Sequence, residues 1–182
     1  NYFAAIAVYL IARRPATIFQ EHGGLNQASL RKKTRIFYRL FGFFYDGFIA
    51  ISGSTAESMK EAGARSKKIK IISNPVDTVK FNPSITTIAA RERLALPKDR
   101  PIVGTACRFA PEKDLGLFLS VARVLHSQND SVYFVIVGEG DERSRLELLV
   151  KQYGLTDVVL FTGILTDMPT LWRSLDIFLF TS

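Results

Sequence analysis

The sequence predicts an α/β protein of parallel sheets divided between two units, and three observations carry that reading. From residue 102 onward, strand-like runs alternate strictly with helix-like segments. The runs themselves are nearly continuous in apolar side chains, the pattern of strands covered by helices on both faces. The charge is also unevenly divided: residues 1–80 hold 13 Lys and Arg against 5 Asp and Glu, while residues 81–182 hold 11 against 12. All of the net charge of +7 therefore belongs to one half, as expected of two units with different electrostatic tasks. At 47% hydrophobic and 23% charged, the 182 residues have the composition of a soluble globular chain, which excludes disordered, collagen-like and disulfide-scaffold proteins.

The elements follow in order. Tyr2 to Ala12 reads as the end of a helix that Pro15 cannot continue. Too short to span a bilayer, this run is followed by its arginines, where a signal peptide has its charges first. Ala16 to Phe19 reads as a short strand entering the turn Glu21-His22-Gly23-Gly24, and Arg31 to Tyr45 as a long helix with basic and aromatic residues on different faces. A strand over Phe48 to Ile51 precedes a helix through Ala62 for which Ser52 and Ser54 are both candidate N-caps, and Gly63 closes it. Lys68 to Ile72 alternates basic and apolar residues as a half-buried strand does, and Asn74-Pro75 stops it.

The prolines at 75, 83, 97 and 101, around a helical stretch over Ile88 to Leu94, mark residues 81–101 as a linker between a first unit, 1–80, and a second, 102–182. In the second, strands over Ile102 to Ala106, Tyr133 to Val137, Val158 to Phe161 and Ile177 to Phe180 alternate with helices over Leu115 to His126, Glu142 to Tyr153 and Met168 to Ser174. Such sheets bind ligands outside the carboxyl ends of their strands, so the turns after Ala106, Val137, Phe161 and Phe180 are expected to line one crevice.

Arg108 and Lys113 flank the first of those strand ends. An Arg fork, a Lys point charge and the adjacent helix N-terminus together describe a diphosphate site; the same two cations also suit pairing with Glu112, Asp114 or other surface acids. Gly138 and Gly140 permit a tight turn and close backbone approach after the second strand. The dinucleotide fingerprint is not completed, because its third glycine position is Arg143. Gly163, Ile164 and Leu165 follow the third strand, where the two apolar residues either support a flat nucleobase or anchor the loop. His22, before two glycines, suits either hydrogen bonding to a substrate or a solvated turn. His126 reads as a helix C-terminal dipole partner. Two histidines and the single cysteine, Cys107, show no metal-ligand spacing, so no metal and no cofactor are expected. One thiol cannot form an internal disulfide, which fits a reducing, cytoplasmic setting.

Taken together, several ordered motifs resemble the retaining glycosyltransferases of family 4, nucleotide-sugar enzymes of the GT-B fold. They are Gln20-Glu21-His22-Gly23, Ile49-Ala50-Ile51-Ser52, Ile72-Ser73-Asn74-Pro75-Val76-Asp77, Phe81-Asn82-Pro83, Arg108 to Lys113, Val137-Gly138-Glu139-Gly140, Phe161-Thr162-Gly163 and Ser174-Leu175-Asp176-Ile177. The resemblance implies two Rossmann-like, doubly wound parallel-sheet domains, each only partly present: the second half of an acceptor-side domain and the first half of a donor-binding one. It implies a nucleoside-diphosphate sugar donor, a glycan or lipid-linked acceptor, and metal-independent transfer with retention of anomeric configuration. Arg108 and Lys113 match the cations that neutralise the leaving diphosphate, and His22 matches a histidine beside the reacting sugar. Cys107 and Asp114 stand where the family commonly has glycine. The chain begins without Met inside an apolar pattern, so it reads as a piece of a longer protein, inactive alone.

Arg31, Lys32, Lys33, Arg35 and Arg39, interleaved with aromatics, suit either an interfacial helix at the inner face of a membrane or a core-packed helix with a solvated cationic face. Two other functions compete: a non-catalytic basic module for nucleic acid or anionic lipid, and a sugar-nucleotide epimerase on the same fold. The module leaves the ordered turn motifs unexplained, and no nucleic-acid partner is expected.

Overall fold

Every strand pair in the computed structural model is parallel, and the strands fall into two separate sheets. The structure describes residues 15–22, 30–81 and 84–182. The helix expected over Tyr2 to Ala12 lies outside them, as do Gly23 and Gly24. The chain divides into Asn1–Val76 and Asp77–Ser182.

The first unit contains β1 (Ile18–Glu21), α1 (Leu30–Leu40), β2 (Gly47–Ala50), α2 (Gly53–Glu61) and β3 (Ile69–Ile71), with the strands in the order β1-β2-β3. β1 starts two residues later than its apolar run suggests, because Thr17 is tied by both backbone groups to the Asp46 corner: its N–H donates to Asp46 Oδ2 at 2.8 Å and its carbonyl accepts from the Asp46 amide at 2.8 Å. α1 ends at Leu40 rather than Tyr45. The last turn closes on Gly42, where an added Cβ would stand 2.3 Å from the Tyr38 carbonyl oxygen, and the chain then bends so that Tyr45 joins the core. Phe19 meets Phe37 at 5.2 Å between ring centroids, and Tyr38 meets Phe48 edge-on at 5.4 Å. This aromatic cluster packs with Met59 and Ala56 of α2, which Ser52 caps by accepting from the Thr55 amide at 3.1 Å. β3 is shorter than the alternation implies, since Ser66–Lys68 forms a single 3-10 turn and the Lys68 ammonium donates to the Tyr45 carbonyl.

The second unit contains α3 (Thr87–Arg93), β4 (Ile102–Ala106), α4 (Leu115–Gln128), β5 (Tyr133–Val137), α5 (Arg143–Gln152), β6 (Val159–Gly163), α6 (Met168–Ser174) and β7 (Ile177–Phe178), with strand order β6-β5-β4-β7. The sheet is wound on both faces. Val103, Phe134 and Ile136 pack with Phe118, Leu119 and Leu146 of α4 and α5; on the other face Ile102, Val135 and Val137 pack with Leu96 and with Leu171 of α6. The two-residue period of each strand thus serves two cores at once. The order reverses direction at β4, which places a switch point between β4 and β7.

The proline-marked segment is not a free linker. The boundary falls after Val76, and residues 84–101 belong to the second unit, where α3 packs on α6 and Ala90 and Leu96 are buried. One buried side chain holds this segment. Arg91 donates from Nε to the Ser174 carbonyl (3.0 Å), from Nη1 to the carbonyls of Lys98 (3.0 Å) and Arg100 (3.1 Å), and from Nη2 to Asp176 Oδ2 (2.6 Å). The same carboxylate oxygen accepts from the Ile102 amide at 2.7 Å, at the start of β4. Replacing Arg91 with Met leaves three carbonyls and a carboxylate without their donor, so a loss of about 2–4 kcal/mol is expected in urea unfolding. A loss below about 0.5 kcal/mol would mean that water serves these acceptors as well as the guanidinium does.

Candidate functional site

The carboxyl ends of β4, β5 and β6 open into one cavity of about 370 Å³. Ala106, Cys107 and Arg108 supply one side, Val137, Gly138 and Glu139 a second, and Ile164, Leu165 and Met168 a third. Three of the four strand ends expected to converge therefore do so. The fourth lies elsewhere: after β7, Thr181 Oγ1 donates to the Lys113 carbonyl at 2.9 Å, beside the switch point.

Backbone pairing continues past the strands and shapes the opening. Cys107 N–H donates to the Val137 carbonyl (3.0 Å), Phe109 N–H to the Glu139 carbonyl (2.8 Å) and Gly138 N–H to the Gly163 carbonyl (2.9 Å). Three turns are laced edge to edge, which leaves no room for side chains between them. A Cβ on Gly138, where φ is +131°, would lie 1.9 Å from the Cys107 carbonyl oxygen; one on Gly140, at φ +154°, would lie 2.4 Å from that of Phe109. Both glycines are required by close approach, as their expected role in the turn implies. β6 runs on to Gly163 rather than stopping at Phe161, with a register shift against β5 between Ile136 and Val137. That irregularity turns the chain outward at the cavity, so that Ile164 is 75% exposed and Leu165 half-buried.

The two cations differ in setting. Arg108 stands at the rim with its guanidinium in solvent, and its Nη2 donates to Glu112 Oε1 at 2.5 Å, one of the pairings that the spacing left open. The Glu112 carboxyl is held below the usual range first by its own backbone amide and then by Arg108. An ion pair this exposed adds little to stability, because water and salt screen it, so an incoming anion competes for the fork at small cost. Lys113 has no carboxylate partner among the described residues. Its ammonium lies 5.4 Å from the centre of the Phe180 ring and 3.5 Å from Ser182 Oγ, on the β7 side of the turn. Its charge also reaches Cys107, whose thiol burial pushes up and Lys113 pulls back down.

Asp114 explains its own departure from glycine. It occupies the left-handed region (φ 42°, ψ 50°), which Asp tolerates better than most residues, and its Oδ1 caps α4 by accepting from the Leu117 amide at 3.2 Å. One of the amides expected to be free at this helix N-terminus is therefore taken by a carboxylate. His22 follows β1 directly and is exposed, while Arg35 and Arg39 are exposed on α1. The side chains of Arg31, Lys32 and Lys33 lie outside the described residues. His126 is in the last turn of α4 as expected, but its Nδ1 is buried with no hydrogen-bond partner among the described residues. Among those residues, no three His, Cys, Asp or Glu side chains cluster to hold a metal, and no helix is long and apolar enough to cross a membrane.

Sequence reasoning missed Met168 as a wall residue, although its place at the head of the helix after the third strand signals it. It also missed the engagement of Glu139, whose Oε1 accepts from Arg143 Nη1 at 2.7 Å while the same guanidinium lies 4.9 Å from the Phe161 ring centre. The position that spoils the dinucleotide fingerprint thus braces the turn.

A family model described as "Glycosyl transferases group 1" matches residues 87–182, and one described as "Glycosyltransferase Family 4" matches residues 1–80. A 2-deoxystreptamine glucosyltransferase of Streptomyces kanamyceticus is 29% identical over 126 residues, covering 67% of this chain and 33% of that protein. An Escherichia coli UDP-Gal:alpha-D-GlcNAc-diphosphoundecaprenol alpha-1,3-galactosyltransferase is 27% identical over 182 residues, covering 94% and 47% respectively. The crystal structure of Anabaena HepE in complex with UDP superposes with a TM-score of 0.81 at 25% identity, over 100% of this chain and 50% of that one. The chain spans half or less of the length of these relatives. Gly138→Ala is expected to cost roughly 2 kcal/mol or more in thermal unfolding, because the methyl group meets a carbonyl that β-pairing holds in place; a neutral substitution would show that the turn can shift.

Proposed function

The chain belongs to the glycosyl transferases group 1 family and has the GT-B type of fold, and from that premise we propose that its protein transfers a sugar from a nucleoside-diphosphate sugar to a glycan or lipid-linked acceptor with retention of anomeric configuration. The observation that carries the donor reading is the cavity at the carboxyl ends of β4 and β5, with an exposed Arg108 fork at its rim and the apolar wall of Ile164, Leu165 and Met168 opposite.

In this reading the base packs against Ile164 and Leu165, and the glycine backbone at Gly138 and Gly140 allows the nucleotide to approach closely. The diphosphate draws Arg108 away from Glu112 and Lys113 away from the Phe180 ring. Cleavage of the glycosyl bond puts negative charge on the departing phosphate oxygen. Cations fixed beside it stabilise a charge that grows toward the transition state, which is where such an interaction accelerates a reaction. His22 belongs to the other unit, and its role beside the reacting sugar rests on the motif match alone. The galactosyltransferase relative acts on a diphosphoundecaprenol-linked sugar and HepE binds UDP; both support a nucleotide donor, and the former a lipid-linked acceptor.

Calorimetric titration of the full-length protein with UDP and GDP tests the donor site. Arg108→Ala and Lys113→Ala are each expected to weaken the bound nucleotide about tenfold or more, as the loss of a charge-assisted contact should. Unchanged affinity in both variants would remove the diphosphate reading. Glu112→Gln is expected to tighten binding by roughly two- to fivefold, since a competitor for Arg108 is gone. The sign with pH follows from the depressed Glu112 carboxyl: its pairing is present above the ordinary carboxylate range and lost as pH falls through its lowered value. The gap between variant and wild type should therefore close in acid, and a gap that widens there would contradict competition. Analysis of the product's anomeric configuration tests retention.

A further inference from the structure

Helix α4 buries Leu115, Phe118, Leu119 and Ala122 in the core and turns a second face outward. Ser120, Arg123, Val124 and Ser127 follow one another on that face at the spacing i, i+3, i+4, i+7. With Tyr153, the residue that follows α5, they line a cavity of about 410 Å³, and none of them lines the cavity at the strand ends. Its volume is in the range of small-molecule pockets, roughly 300–1,000 Å³. The Arg123 guanidinium lies 5.1 Å from the centre of the Tyr153 ring. Arg143 and Arg145 of the neighbouring α5 are paired with acids, but among the described residues no carboxylate pairs with Arg123, and α4 itself contains none. The fork is thus set against an aromatic ring with its N–H donors open. The two serines are the converse. Ser120 Oγ donates to the Gly116 carbonyl at 3.0 Å and Ser127 Oγ to that of Val124 at 2.7 Å, so each hydroxyl proton is engaged within the helix and only lone pairs are left for a ligand. Val124, 55% exposed, adds an apolar surface between them.

We propose that this cavity is a second ligand site, for a carboxylate that also bears hydroxyl groups, the chemistry of a uronic acid residue in an acidic glycan. Arg123 takes the carboxylate in its fork, Ser120 and Ser127 accept from the ligand's hydroxyls, and a C–H face of the sugar ring covers Val124. A simple carboxylate would leave the serine lone pairs unused. A neutral sugar would leave the Arg123 donors without an acceptor. One guanidinium balances one negative charge, so a phosphate monoester, which carries roughly −1.5 to −2, would bring charge that the cavity does not neutralise. The site shares no residue with the nucleotide cavity, so it stands or falls independently of the donor reading.

Titration of the full-length protein with glucuronate, followed by the NMR shifts of the Arg123 Nε–H and of the α4 amides, tests it. Saturable shifts are expected with glucuronate, and affinity about tenfold or more weaker with either acetate or glucose. Arg123→Ala should weaken glucuronate about tenfold or more, and Arg123→Lys, which keeps the charge and loses the fork, by less. Ser127→Ala should weaken it roughly two- to fivefold. Both positions are exposed, so an unchanged unfolding midpoint verifies that each variant is folded. The shifts should persist when UDP is present in excess. The proposal is overturned if glucuronate produces no saturable shift, if acetate or glucose binds as well, if glycerol phosphate binds more tightly, or if folded Arg123→Ala binds undiminished. Displacement of glucuronate by UDP would assign the sugar acid to the nucleotide cavity and overturn it equally. If UDP itself fails to bind, the donor reading falls and the Arg123→Ala comparison still decides this site.

Discussion

A single buried guanidinium determines how the second sheet is assembled. Arg91 reaches from α3 to the carbonyls of Lys98 and Arg100 before β4, to the Ser174 carbonyl at the end of α6, and to Asp176 at the entry to β7. Asp176 in turn accepts from Ile102, so the two strands either side of the switch point start from one shared carboxylate. Next to it, Leu175 fills the space over Gly104, where an added Cβ would come within 2.6 Å of its Cδ2. With β4 and β7 anchored at their amino ends, the rise of the strands carries their carboxyl ends to the same side of the sheet. Arg108 and Lys113 are carried on that edge.

Beyond the edge, the site is built from backbone. The turns after β4, β5 and β6 are hydrogen-bonded to one another, and at Gly138 and Gly140 a neighbouring carbonyl comes too close for any side chain. What remains adjustable is the charge at the rim. Arg108 is paired with a solvent-exposed glutamate and Lys113 rests over an aromatic ring; both arrangements are cheap to leave. Such a site combines a fixed frame with cations that are not committed to any deeply held partner, and that combination suits a ligand whose charge is large when bound and larger when it departs.

The first unit solves a different problem. Its core is a packed aromatic cluster in which Tyr38 is buried so deeply that its hydroxyl has no hydrogen-bond partner among the described residues; burial, and then the nearby Glu21 charge, push its ionisation well above the usual phenol range. Tyr38 therefore contributes as a ring. Among the described residues, Arg35, Arg39 and Arg65 stand exposed outside that cluster.

Most of the architecture was legible in the sequence, because period and punctuation are local properties. Tyr133–Val137 and Met168–Ser174 match their expected bounds to the residue, and the apolar strands with their intervening helices could hardly be other than a parallel sheet. The convergence of Arg108, Gly138 and Ile164 followed from the same logic, since parallel strands deliver their ends to one side. What the tertiary structure alone decided were the pairings between residues far apart in the chain. No local pattern distinguishes the proline-marked segment from a linker, because the Arg91 contacts that tie it to the rest of the unit are with residues 83 and 85 positions away. Nor does spacing tell which anion holds Arg108, or that Asp114 would adopt a left-handed turn and cap the helix behind it. Those outcomes depend on which groups lie within hydrogen-bond reach after folding, and only the packed chain sets those distances.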